Sequence, residues 1–132
     1  MPTDYTIDPN ARLVRVTGTG ALSDADLLEQ RVRLRDDPRF DAGYSFLVDL
    51  RGVTEVLLSA QVVARLARDP ISEPGVRRAI VVPVAEPGAS SPHPLAFGLG
   101  RVFQSIAALR GEDVEVFTDL TLAAEWLANA GP

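Results

Sequence analysis

The chain has 132 residues and no cysteine, with 13 basic against 18 acidic residues and a formal net charge of −5. A single domain of that size buries enough surface to fold without a metal or a disulfide, and the missing cysteines exclude thiol chemistry and cysteine-bound zinc. The acidic balance offers no basic footprint for nucleic acid.

Every basic residue is arginine, so Schiff-base lysines and the phosphate-binding lysine of a P-loop are excluded too. The start "MPTDYTIDPN" lacks the basic and apolar pattern of a signal peptide. No apolar run approaches the ~20 residues that span a bilayer. The expectation is one domain over residues 1–132 in the cytoplasm.

"DYTIDPNARLVRVTGTG" predicts two short strands around the turn Asp8-Pro9-Asn10. The first, Tyr5 to Ile7, reads as an edge strand. "LSDADLLEQRVRLRDD" predicts a helix. Ser23 is its N-cap, with Asp26 completing a capping box. Leu27, Leu28, Val32 and Leu34 form its expected buried stripe. "YSFLVDL" predicts a buried strand that breaks at Asp-Leu-Arg-Gly. "SAQVVARLARD" predicts the second helix, with Ser59 placed to cap it.

"RRAIVVPV" predicts another buried strand. The loop "AEPGASSPHP" is long enough to act as a lid. "LAFGLGRVFQSIAALRG" predicts the third helix, with Leu95, Leu99, Val102, Phe103, Ile106 and Leu109 at helical spacing. Gly98 and Gly100 weaken a helix, so close packing is expected at both. "VEVF" and "DLTLAAEWLANA" predict the last strand and helix, the helix capped by Asp119 and ending at Ala130. Trp126 and Phe103 are expected in one core. The fold class is therefore α/β, in the order β-β-α-β-α-β-α-β-α. It implies a five-stranded, mostly parallel sheet with an antiparallel edge strand.

This order, with "FLVDLRGVTE", "GLGRVF", "VEVF" and "AEWL" in sequence, resembles the STAS domain of the anti-sigma-factor antagonists. It resembles more closely a group of small stand-alone bacterial proteins also labelled STAS-like or lipid-transfer-like (CRAL-TRIO). In the antagonists an Asp-Ser-Ser-Gly-like motif precedes the second helix, and a partner kinase phosphorylates its second serine. The matching positions here are Leu57, Leu58, Ser59 and Ala60, so only the acceptor serine is kept. The resemblance implies a regulatory or protein-interaction module.

No catalytic constellation emerges. His93, the only histidine, lies between two prolines and reads as a solvated loop side chain. Asp49 and Arg51 stand at the carboxyl end of a central strand, where open parallel sheets bind ligands. Arg101 sits on the third helix, able to pair with a carboxylate or a bound anion. Ser59, Asp49, Arg51 and Arg101 are thus the regulatory or ligand candidates, with no catalytic, metal or cofactor residue and no cofactor. The expected function is a non-enzymatic, STAS-like interaction module. The alternative is a small apolar-ligand or lipid binder with a pocket between the sheet and the third helix. A protein or an apolar small molecule is the expected partner, and a homodimer is compatible with the sequence.

Overall fold

The structure is a computed structural model that describes residues 2–129. Its elements are β1 (Thr3–Asp8), β2 (Leu13–Ser23), α1 (Asp24–Arg35), β3 (Ser45–Leu57), α2 (Ala60–Arg68), β4 (Arg77–Val81), α3 (Pro94–Ala108), β5 (Asp113–Phe117) and α4 (Leu120–Ala128). The sheet runs β1-β2-β3-β4-β5. β1 is antiparallel to β2, and every other pair is parallel. The expected fold class and element order are therefore those observed. Ala130, where the last helix was expected to end, lies outside the described residues.

The strand order explains the layering. Each crossover steps in the same direction, and right-handed crossovers then place all three connecting helices on one face. Period-two alternation divides the strands between the two faces. Val14, Val16, Phe46, Ile80, Val82 and Val114 turn toward α1, α2 and α3. Leu47, Ala79 and Val81 turn the other way and pack with Ala123 of α4. Because α4 follows the last strand, it is free to cover that second face.

Local chemistry sets the helix starts. Ser23 Oγ accepts from the Asp26 amide at 3.4 Å, and Asp26 Oδ2 accepts from the Ser23 amide at 2.9 Å. This is the capping box, with aspartate in place of glutamate. Asp119 caps α4 by accepting from the Leu122 amide at 3.0 Å.

Three features differ from the sequence reading. First, Asp-Leu-Arg-Gly does not end the central strand, because β3 continues to Leu57. Its second half is held by the tail of β2, Thr19 to Ser23, which pairs with Gly52 to Leu57. Gly52 permits that pairing: a Cβ there would lie 2.9 Å from Thr19 Cγ2 and 3.2 Å from the Gly18 carbonyl oxygen. Second, Phe103 and Trp126 occupy opposite faces. Phe103 packs against Ile80 and Val82, whereas Trp126 packs beside Phe117 at 5.8 Å between ring centroids. Third, Leu109 lies just beyond the last residue of α3 and is 88% exposed.

The two glycines of α3 also separate. A Cβ on Gly100 would come within 3.3 Å of Val116, while one on Gly98 would meet nothing within 4 Å. Gly98→Ala is therefore expected to raise stability by about 0.5–1 kcal/mol, and Gly100→Ala to give no such gain. Urea unfolding of the two variants checks this, and equal effects would contradict the placement of α3. Among the described residues, no helix is long and apolar enough to cross a membrane.

Candidate functional site

Between the sheet and α1, α2 and α3 lies a cavity of about 160 Å³. Its sheet side is formed by Val16, Phe46, Val48, Ile80 and Val82. Leu27 and Leu34 close it from α1, Val63 and Leu66 from α2, and Leu99 and Phe103 from α3. Gly100 brings α3 against Val116 and Val82, which sets the depth on that side.

Four polar side chains belong to this otherwise apolar lining: Thr3, Gln30, Arg31 and Arg78. Gln30 is only 8% exposed, and its Nε2 has no hydrogen-bond partner among the described residues. Arg31 Nη1 donates to the Leu66 carbonyl at 3.3 Å. Loss of water around the Arg31 guanidinium holds its pKa below the ordinary arginine range, and the like charge of Arg78 adds to that effect.

Arg78 is better satisfied. Its Nε donates to Glu112 Oε1 at 2.7 Å, and the Glu112 side chain is fully buried. The Arg78 guanidinium also stands 4.0 Å from the Phe46 ring centroid and 5.2 Å from that of Phe103. Contacts of this kind attract a cation to an aromatic face.

The sequence reading did not single out these residues, although the signal was there. Counting three, four and seven from Leu27 gives Gln30, Arg31 and Leu34, one helical stripe. The expected stripe used Val32 instead, which is 45% exposed. Period two from Arg78 gives Ile80 and Val82, so this arginine belongs to the cavity face of its strand. Glu112 carried no local signal, since its partner lies 34 residues away.

The candidates read from sequence lie elsewhere. Asp49 and Arg51 pair with each other: Arg51 Nε donates to Asp49 Oδ1 at 2.9 Å and Nη2 to Oδ2 at 3.0 Å. By alternation they share the Leu47 face of β3, away from the cavity. Hydrogen bonding from Arg51 lowers the Asp49 pKa. The pair's contribution to stability is therefore complete above the unfolded aspartate value, near pH 4, and is lost as pH falls through the lowered value.

Arg101 is exposed and has no carboxylate within ion-pair distance among the described residues; its guanidinium carbon lies 6.0 Å from the Phe97 ring centroid. His93 does not point idly into solvent, for its Nδ1 caps α3 by accepting from the Ala96 amide at 3.3 Å. The long loop before α3 is tied to itself. Val84 bridges to Pro92, and the Ala85 amide donates to the Ser91 carbonyl at 2.9 Å. None of Ala85 to Pro94 lines the cavity, so the loop does not cover it as a lid.

Ser59 caps α2. Its Oγ accepts from the Val62 amide at 3.1 Å, and its own amide donates to Asp24 Oδ1 at 2.8 Å. A phosphate on Ser59 would meet that carboxylate. Ser59→Ala is expected to cost about 1 kcal/mol. Ser59→Asp is expected to fall below wild type in urea unfolding although aspartate is a good cap, because Asp24 repels it. Full wild-type stability of Ser59→Asp would contradict the Asp24 argument. Compared with known proteins, the sequence matches no family model and no curated protein.

Proposed function

We propose that this protein binds a small apolar ligand in the cavity between the sheet and α1, α2 and α3. The observation that carries the reading is the cavity itself, about 160 Å³ with a mainly apolar lining. An engineered apolar cavity of about 150 Å³ in another protein binds benzene.

The lining residues include no aspartate, glutamate or histidine, which favours binding over acid–base catalysis. The STAS-like switch reading draws less support, because Asp24 already occupies the space beside the Ser59 amide. Native mass spectrometry of protein purified from its own cells tests the proposal. A copurified small molecule lost on unfolding is the expected result. Only the bare chain mass, in every preparation, would contradict it.

A further inference from the structure

We propose that the ligand is a small monocarboxylic acid, its carboxylate bound by Arg31 and Gln30 and its apolar body lodged between Phe46, Val48 and Leu99. This deepens the apolar-ligand reading above and rests on it.

The charge count in the cavity carries the inference. Two guanidinium groups line it, Arg31 and Arg78. One buried carboxylate, Glu112, pairs with Arg78 at 2.7 Å and lies 3.7 Å from Arg110, which is not part of the lining. Among the described residues no carboxylate lies within ion-pair distance of Arg31, whose recorded hydrogen bond goes to the neutral Leu66 carbonyl. Arg31 is therefore the cavity guanidinium with no direct carboxylate partner among the described residues, Asp69 acting on it only from beyond ion-pair distance.

Gln30 adds a second, independent observation. Its Nε2 is a covered donor with no acceptor among the described residues, on a lining side chain beside Arg31 on the same helix, and it meets a ligand once the amide turns toward the cavity. An unsatisfied buried donor is destabilising, and a carboxylate accepts from an amide and a guanidinium together. The planar fork of arginine matches the two oxygens of a carboxylate. A single lining guanidinium without a carboxylate partner suits a monoanion.

The cavity volume limits the rest of the ligand. About 160 Å³ suits a benzene-sized body or a short acyl chain.

Titration calorimetry of the full chain at pH 7 tests this with two matched pairs, benzoate against benzamide and hexanoate against hexanamide. At least one acid is expected to bind about tenfold or more tighter than its amide, the scale of one charge-assisted contact. Arg31→Met is expected to bring acid and amide to near-equal affinity. Its unfolding midpoint is expected at or above wild type, since a poorly solvated charge is removed.

If Arg31→Met does not fold, Gln30→Leu serves instead and is expected to reduce the same preference severalfold. Amide binding equal to acid binding in wild type would overturn the carboxylate assignment and leave the apolar-ligand reading standing. A full preference kept by the folded variant would also overturn it. No binding of any of the four probes would count against both.

Discussion

Replacing Glu112 with leucine is expected to lower the unfolding free energy by about 3–5 kcal/mol. The Glu112 side chain is fully buried, and Arg78 is 14% exposed. Removing the carboxylate leaves the Arg78 guanidinium in a low-dielectric site, with Ser72 Oγ at 3.5 Å as its remaining recorded side-chain acceptor. Arg110, 3.7 Å from Glu112 Oε2, would lose its counter-charge as well. The double variant Glu112→Leu with Arg78→Met separates two meanings of that loss. If the penalty comes from orphaned charge, the second change should restore part of the stability, because well-packed apolar replacements of a buried pair are often neutral while Arg110 still lacks its counter-charge. Urea unfolding of the two variants gives the comparison. A single-variant loss below about 1 kcal/mol would mean that Glu112 is not buried against Arg78.

Phe46→Ala is expected to cost about 3–5 kcal/mol. Phe46 is 1% exposed and is among the largest fully buried side chains. It packs with Val14, Val16, Leu34 and Val76 and faces Phe40 at 6.0 Å between centroids. Its ring also lines the cavity and carries the Arg78 guanidinium. Truncation therefore removes packing, enlarges an existing void and takes away a cation–π partner. The variant should also accept bulkier apolar probes than wild type. A stability loss under about 1 kcal/mol would contradict the position of Phe46 at the junction of core and cavity.

These two residues mark where local pattern stops being informative. The apolar runs and the caps Ser23, Ser59 and Asp119 are local signals. They were enough for the element order and the sheet class. The continuation of β3 was not local, because Asp-Leu-Arg-Gly resembles a turn until the tail of β2 is laid beside it. Nor was the separation of Phe103 from Trp126, which depends on the face that each helix covers. The candidate site was only partly legible. A pocket against the third helix was expected, but its wall turned out to include α1 and α2. The conspicuous charged pair Asp49 and Arg51 lies within β3, and its members satisfy each other on the opposite face. The informative residues were polar ones in apolar stripes, Gln30 and Arg31 after Leu27, and Arg78 before Ile80. Burial makes such residues costly unless something pairs with them. Glu112 pairs with Arg78, and a ligand is proposed to pair with Arg31.

The claim that the cavity takes an apolar ligand is tested most directly by methyl-resolved NMR during titration with toluene, a neutral probe of matching size. Saturable shifts are expected at the methyl groups of Val16, Val48 and Leu99, which line the cavity. None are expected at Leu13 or Leu127, which pack on the α4 face. No saturable shift, or shifts confined to the α4 face, would contradict the account.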